Sequence, residues 1–514
     1  MRIGIDVGGT NTDAVLMDGA TVLGAVKTPT TSDVGEGIVR ALQLLRTETR
    51  FDPARVTAVM IGTTHFTNAI LERQRLMPTA AIRLCLPAAE RLPPMVDWPE
   101  DLRQAVGAHT FLLHGGHEFD GRVISPLDEP EIRAVARRIA DRGIRAVAIT
   151  SIFSPVNPSF EEEAAAIMRS EIPEANITLS HTIGRIGLLE RENAAILNAC
   201  LGDLARRIVR AFREALSGMD ISAPFYLSQN DGTLMSAEFA EAYPVLTIAS
   251  GPTNSMRGAA FLSGAAREAV VVDIGGTTSD VGMLVSGFPR EASAIVKIGG
   301  VRTNFRMPDV YSFGLGGGSI VQTDPLRIGP QSVGYELTTK ALVFGGRTLT
   351  TTDVAVAAGL AEIGDRNAVA ALDPQLVQSV LDEIHVRIAE AVDRMKISAA
   401  PLPVIAVGGG SILINESIEG ASEIITPEHF AVANAIGAAI AQVGGETDRV
   451  FALEAMSRAA ALDQAKAEAT QKAVAAGAEP ATVHIVDVEE VPLAYLPGNA
   501  TRIRVKAVGD LLQT

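Results

Sequence analysis

Two octapeptides of this chain share one design: Asp6-Val-Gly-Gly-Thr-Asn-Thr-Asp13 and Asp273-Ile-Gly-Gly-Thr-Thr-Ser-Asp280. Each stands between two short aliphatic runs, which predicts the turn of a buried β-hairpin. Paired glycines let the backbone take positive φ and approach a ligand closely, so that successive N–H groups converge on an anion. Thr10, Thr277 and Thr278 add hydroxyl donors. A carboxylate at a strand end suits Mg2+, which takes one or two carboxylates, phosphate oxygens and several waters. The expected phosphate-binding sets are Gly8, Gly9, Thr10, Asn11, Thr12 and Asp13 in the first loop, and Gly275, Gly276, Thr277, Thr278 and Asp280 in the second, with Mg2+ at Asp6 and Asp273. One such loop alone equally fits a tight turn whose aspartate caps its own backbone. The duplication favours a pair of facing loops that clamp a nucleoside triphosphate.

Other chemistry-bearing residues are more dispersed. His114-Gly-Gly-His117-Glu118-Phe-Asp120 is a dense cluster of metal-competent side chains. Together with His65, His114, His117 and Asp120 would make a second divalent-metal site able to polarise a carbonyl; ordinary loop histidines are the alternative. Glu190, Arg191 and Asn198 fall near one face of a helix, either towards a cleft or in a salt-linked helix surface. Thr352-Asp353 reads as a helix N-cap or as a catalytic carboxylate. Ser250-Gly251-Pro252 has the form of a helix start with Pro at the first helical position, whose free N–H groups meet an anion or are simply capped. Cys85 and Cys200 read as small buried hydrophobes.

The elements that must position these groups alternate between strand and helix. A meander runs from Arg2 to about Lys27, and a helix follows near Asp33 to Arg46 with Ser32 or Asp33 as its cap. Val56 to Ile61 predicts a strand leading into Gly62-Thr-Thr-His65 and a short helix through Arg73. Glu131 to Asp141, Ile144 to Ile152 and Ser159 to Met168 predict helix, strand and helix. Leu188 to Leu216 is a long helix expected to cross between lobes. A strand near Phe225 opens the second lobe, which continues through a helix from Gln375 to Lys396, a strand from Val404 to Val407 and a helix from His429 to Gln442. Beyond it come an alanine-rich helix from Leu453 to Ala475 and strands at Val483 to Val488 and Arg502 to Val508. The expected domains are residues 1–185, 186–445 and a C-terminal α/β extension, 446–514, packing on the lobes.

Composition sets the boundary conditions. With 514 residues and 47% hydrophobic content, two or three sizeable cores are affordable. The formal charge of −16 and the 4% aromatic content argue against a nucleic-acid partner. Two cysteines support neither a disulfide framework nor a cysteine-rich zinc site. Met1 leads directly into a strand with no secretory leader, and no apolar stretch approaches the roughly 20 residues needed to span a bilayer. A cytoplasmic, membrane-free protein is expected.

A strand-turn-strand with an Asp-Gly-Gly-Thr loop, repeated in a second lobe and followed by Gly408-Gly-Gly-Ser411, resembles the actin, Hsp70 and sugar-kinase superfamily. That resemblance implies a two-lobed, ribonuclease H-like α/β ATPase fold with Gly408, Gly409 and Gly410 as the adenosine loop. No Gly-x-x-x-x-Gly-Lys-Ser/Thr segment occurs, which excludes a P-loop NTPase. Finer matches resemble one branch, the hydantoinase A/oxoprolinase family. They are Gly62-Thr-Thr-His-Phe-Thr-Asn-Ala-Ile-Leu-Glu-Arg73, Phe119-Asp-Gly121, Pro126-Leu-Asp128, Glu190-Arg191 with Asn198-Ala199, Ser250-Gly-Pro252, Gly316-Gly-Gly-Ser-Ile320 and Thr352-Asp353. In two places the chain departs from the family pattern. Ile61 stands where the family has a histidine, and Val333-Gly-Tyr-Glu336 replaces a Pro-Gly-Pro-Ala-Cys-Tyr run.

The resemblance implies catalytic roles for Asp6, Asp273, Asp353 and Arg191. It also implies ATP with Mg2+ as cofactors, and ATP-dependent opening of a cyclic amide such as a hydantoin or 5-oxoproline through carbonyl phosphorylation. A separate B-type subunit would complete the assembly. A small-molecule kinase, a subunit of an ATP-dependent ketone carboxylase and a nucleotide-gated binding protein are the alternatives on the same fold.

Overall fold

The computed structural model describes all residues except 32–33, 185, 265–267, 286, 293–295, 305–306, 415–416, 455, 495–497 and 513–514. The expected cap at Ser32 or Asp33 lies outside the described residues, and the helix it would start runs Val34–Thr49.

Two sheets repeat one plan. In the first, Thr21–Pro29, Asn11–Asp18 and Arg2–Val7 form an antiparallel meander, and Ala58–Thr63 and Phe225–Ser228 continue it in parallel. In the second, Phe288–Pro289, Ser279–Val285 and Ala269–Ile274 are antiparallel, and Leu402–Val407 and Ala421–Ile425 continue in parallel. Both have the strand order 3-2-1-4-5 of the ribonuclease H-like fold. The central strands Arg2–Val7 and Ala269–Ile274 are apolar runs buried on both faces, as strands covered on either side must be. The protein therefore has the two-lobed α/β architecture of actin, Hsp70 and sugar kinases.

Sheet membership cuts across a division of the chain at 185 and 445. Phe225–Ser228 and Thr233–Ser236 belong to the first sheet, and Gln442–Ala452, Ala500–Gly509 and His484–Pro492 extend it to nine strands. The helix Arg458–Ala475 starts five residues after the expected Leu453, because Ser457 caps it by accepting from the Ala460 N–H. It lays Ala461, Ala465, Ala469 and Ala473 on this extension. Methyl-sized residues are required there: a Cβ on Gly445 would sit 2.2 Å from the Ala469 carbonyl oxygen.

A parallel four-stranded sheet, in the order His109–His114, Thr79–Leu86, Ala146–Ser151, Asn176–Leu179, carries its own core with helices Glu129–Asp141 and Ser159–Glu171. The helix Leu188–Ser217 does not lead out to the second lobe. Its apolar residues from Ala194 to Phe212 share one core with Ile3, Ile5 and Ile61 of the first sheet, because seven of the eight positions from Ala194 to Leu201 are apolar.

Helices Ser250–Ser263 and Ala433–Ala439 lie between the two main sheets and cross at glycines. A Cβ on Gly437 would be 1.8 Å from the Asn254 carbonyl oxygen, and one on Gly258 2.0 Å from that of Ala433. The expected helix from His429 to Gln442 is cut short at both ends. Phe430–Val432 forms a 3-10 turn and Gln442 already opens a strand.

Candidate functional site

The two Asp-Gly-Gly-Thr loops have the same geometry. Asp6 pairs in register with Asp13, and Asp273 with Asp280, so each pair of carboxylates sits side by side at the cleft end of its hairpin. The Gly8 N–H donates to the Asn11 carbonyl at 3.0 Å, and the Gly275 N–H to the Thr278 carbonyl at 2.9 Å. The loops face each other across the cleft: Thr10 Oγ1 lies 3.2 Å from Thr277 Oγ1. The glycines are not needed for positive φ, since none of Gly8, Gly9, Gly275 and Gly276 adopts it. Gly276 is needed for space. A Cβ on Gly276 would be 2.8 Å from the Thr10 side chain, whereas one on Gly9 would meet nothing within 4 Å. Gly9 is therefore a glycine without a steric reason inside the protein, facing an open place where a ligand can approach the backbone.

Burial sets the electrostatics. Asp6 is 4% exposed; its Oδ2 accepts from Asn434 Nδ2 at 3.4 Å, and its Oδ1 has no hydrogen-bond partner. Burial, with Asp13 beside it, raises its pKa to about 6. Burial is likewise the main reason that the pKa of Asp273 rises to about 7, with Asp280 and then Asp6 adding to it. The effect of Asp6 on Asp273, with Thr10 beside Thr277, brings the two strand ends together as one site. Asp13 does not point a free carboxylate into the cleft: Lys27 Nζ holds both its oxygens, at 2.7 and 2.6 Å. Asp280 accepts from the Ser312 hydroxyl. Thr12, fully buried, bonds to Thr30 at 3.3 Å and braces the loop from behind.

Two further glycine segments back the second loop. Gly317 and Gly318 donate N–H groups to the carbonyls of Gly275 and Gly276 at 3.0 and 2.7 Å, and a Cβ on Gly316 would be 2.5 Å from the Thr277 nitrogen. Gly408, at φ +84°, leaves no room for any side chain, since a Cβ would be 2.1 Å from Asp273 Oδ1. Gly410 donates to the Ile274 carbonyl at 2.7 Å, while Gly409 is open like Gly9. The helix Ser250–Ser263 begins two residues before Pro252, so the proline is not at its first position. Near its start, Ser250 Oγ and Asn254 Oδ1 are buried without partners.

Other expected site residues are engaged in hydrogen bonds within the protein. Asp353 is fully buried and accepts from the Val343 N–H at 2.8 Å and from the Thr350 N–H and hydroxyl, each at 2.7 Å. Its Oδ2 closes the capping box of Thr351–Ala357, whose N-cap is Thr350 and not the expected Thr352-Asp353, and its Oδ1 is taken by Val343, so both oxygens are occupied within the protein. Arg191, 1% exposed, donates to Ser180 Oγ at 2.9 Å and to the Ser151 carbonyl at 2.6 Å. It ties the four-stranded sheet to the long helix instead of entering the cleft. The expected second metal centre does not assemble. His65 bonds to Thr63 Oγ1, His114 to Glu131, His117 to Asn157 and Asp120 to Arg122, and no group of three or more metal-competent side chains occurs among the described residues.

Lys27, Asn254 and Asn434 were not legible as site residues, because each reaches the loops from a strand or helix distant in sequence. Lys27 alone carried a signal: it stands three residues before Thr30, at the end of the meander strand beside the first loop. The unpartnered Asp6 Oδ1, the open Gly9 and Gly409, and the paired Thr10 and Thr277 hydroxyls fit a polyphosphate with a hard cation. Asp6 and Asp273 would hold the cation and the loop N–H groups the phosphates.

Comparison with known proteins agrees with this architecture. Residues 2–172 match the hydantoinase/oxoprolinase N-terminal region, and residues 191–364 match hydantoinase/oxoprolinase. The chain is 29% identical over 398 residues to the acetophenone carboxylase gamma subunit of Aromatoleum aromaticum, covering 70% of this chain and 53% of that one. It is 26% identical over 477 residues to the caprolactamase subunit alpha of Pseudomonas jessenii, covering 85% and 65%. With the 5-oxoprolinase of Saccharomyces cerevisiae the identity is 23% over 402 residues, covering 69% and 31%. The chain thus spans between about a third and two thirds of the length of these curated relatives. Among solved structures, the ATP-dependent caprolactamase from Pseudomonas jessenii superposes over the whole chain and 88% of its own with a TM-score of 0.78 at 20% identity. Nucleotide-free acetone carboxylase does so with 0.73 at 17%, with the same coverage. Domain matches, relatives and fold together place this chain in the hydantoinase/oxoprolinase family.

Proposed function

We propose that this chain binds Mg-ATP between its lobes and directs phosphorylation of a carbonyl oxygen in a cyclic amide, as the A-type subunit of an enzyme completed by a B-type partner. The observation that carries this reading is the approach of Thr10 to Thr277 at 3.2 Å, with a buried aspartate behind each loop. ATP supplies a phosphoryl group that turns a poorly reactive amide carbon into an imidate-type electrophile open to water. Phosphoryl transfer needs mainly positioning and charge neutralisation. Thr10 and Thr277, with the N–H groups of the two loops, position the phosphates; Asp6 and Asp273 hold Mg2+. The relatives named caprolactamase and 5-oxoprolinase act on rings with one amide, which supports a lactam or imide as substrate.

Identity to a carboxylase subunit favours a second reading, in which the activated carbonyl belongs to a ketone and bicarbonate is the partner. The two share the phosphorylated carbonyl oxygen and differ in what attacks next. The deciding experiment measures ADP and phosphate release by the chain co-purified with its natural partner and Mg-ATP, across hydantoins, 5-oxoproline, other lactams, and ketones with bicarbonate. Stoichiometric ring-opened product with a cyclic amide is expected. Labelled bicarbonate incorporated into a ketone would replace the amidase reading by the carboxylase one, and a stable phosphorylated product would reject both.

A further inference from the structure

The two lobes repeat a row of side chains across three strands, and the third member differs. In the first lobe Asp6 pairs with Asp13 and Asp13 with Lys27. In the second, Asp273 pairs with Asp280 and Asp280 with Ser312. Residues directly opposite on adjacent strands share a face, so the rows read carboxylate–carboxylate–ammonium and carboxylate–carboxylate–hydroxyl, and they meet where Thr10 faces Thr277. The duplicated site is thus symmetric in its anions and asymmetric in its cation. A ligand of three linked phosphates is itself asymmetric, carrying most of its charge at the terminal group.

Lys27 is placed to read that end. Its side chain is a third exposed while that of Asp13, both of whose oxygens it holds, is 8% exposed, and the register sets it on the same face as Asp6. The strand that carries it also fixes the first loop: the Thr30 N–H donates to the Thr10 carbonyl at 3.0 Å and the Thr30 hydroxyl to that of Gly8 at 2.8 Å. An ammonium on a flexible stem with three donors can keep one bond to Asp13 and turn another to an incoming oxyanion.

We propose that Lys27 is a catalytic residue that contacts the terminal phosphate of the nucleotide, its charge stabilising the phosphoryl group in flight. This rests on the nucleotide reading above and adds to it the residue that distinguishes a triphosphate from a diphosphate. In the step itself the bond from the terminal phosphorus to the bridging oxygen breaks, its electron pair leaving on ADP. A bond from phosphorus to the substrate's carbonyl oxygen forms. Lys27 stays protonated throughout and exchanges no proton.

The test is the affinity of the full chain, with its co-purified partner, for ATP and separately for ADP in the presence of Mg2+, in the wild type and in Lys27→Gln and Lys27→Arg. Loss of a charge-assisted contact predicts an ATP affinity lowered about ten- to a hundredfold in Lys27→Gln with ADP affinity held within about twofold, and substantial recovery in Lys27→Arg. If Lys27 only braces Asp13, ATP and ADP affinities fall together or neither moves, and the proposal is overturned while nucleotide binding stands. A wild-type chain that binds neither nucleotide overturns both readings. Circular dichroism and the thermal midpoint of each variant identify misfolding. Should Lys27→Gln misfold, Lys27→Met, which also removes the charge, takes its place: a ratio of ATP to ADP affinity unchanged from wild type overturns the assignment, and a reduced one supports it.

Discussion

At the level of single residues, the carboxylates behind the loops pose an energetic problem that a cation would solve. Asp6 and Asp273 keep their protons up to about pH 6 and 7 because ionisation would leave buried, crowded charge. A carboxylate whose folded pKa lies above its unfolded value of 3.8 favours folding most at low pH. Its contribution fades as pH rises from about 4 and is lost above the folded pKa, here between 6 and 7. For Asp6 alone the difference is about 3 kcal/mol. Mg2+ needs the ionised forms, so the shift in unfolding midpoint caused by Mg2+ and nucleotide is expected to be larger at pH 8 than at pH 5.5, and this difference should shrink in Asp6→Asn. Equal stabilisation at both pH values would remove the cation from these two carboxylates. Gly9→Ala supplies a complementary test. Because a Cβ there meets nothing within 4 Å, the variant is expected to unfold with the wild type and yet to lose nucleotide affinity; a loss of stability instead would show that Gly9 serves the turn.

At the scale of elements, the hairpins were legible because their chemistry is local. An Asp-Gly-Gly-Thr turn between aliphatic runs specifies strand, turn and strand within about twenty residues, and both hairpins formed where those residues are. Asp353 was ambiguous for the same local reason. Thr-x-x-Asp is a capping box as much as a carboxylate on offer, and the Val343 N–H, which reaches Asp353 from outside its helix, occupies the oxygen that the box leaves over. What stayed hidden was assembled by long-range contact. The close approach of helices Ser250–Ser263 and Ala433–Ala439 depends on Gly258 and Gly437, yet nothing in either segment names the other. This crossing also sets the site, since Asn254 and Asn434 come from its two helices and Asn434 bonds to Asp6. Gly437→Ala would place a methyl carbon 1.8 Å from the Asn254 carbonyl oxygen, forcing the helices apart at a cost of about 1–3 kcal/mol. Stability and nucleotide affinity are expected to fall together in this variant, whereas Gly9→Ala separates them. A Gly437→Ala protein with undiminished affinity would mean that Asp6 does not depend on this crossing.

For the whole molecule, the lobes are joined at a second place that the domain pattern in the sequence did not suggest. Arg504, on the C-terminal extension of the first sheet and 4% exposed, meets Asp487, Glu489 and Glu446 at 2.9, 3.3 and 3.5 Å, and Glu291 at 3.2 Å. Glu291 follows the edge strand Phe288–Pro289 of the other sheet, so one guanidinium connects the C-terminal extension to the second lobe. Its five donors in a fixed fork suit several carboxylates at once. Lys506, two residues on, pairs with Asp231 at 2.8 Å and anchors the same strand towards the helix that starts at Ser250. Removing the cation from such a cluster leaves crowded carboxylates, which costs far more than loss of one surface pair. Arg504→Met is therefore expected to lower stability by about 1–3 kcal/mol at pH 8, since the Asp487 and Glu489 side chains that it leaves are nearly half exposed, and by less at pH 5. Glu291→Gln weakens the link from Arg504 to the second lobe; with that side chain a third exposed, the expected cost is at most about 1 kcal/mol. Urea midpoints of the two variants at both pH values check the argument. A penalty for Arg504→Met that is the same at pH 5 and pH 8 would show that lost packing, not charge, accounts for it. A Glu291→Gln penalty as large as that of Arg504→Met would place most of the cluster's stabilisation in the joint between the lobes.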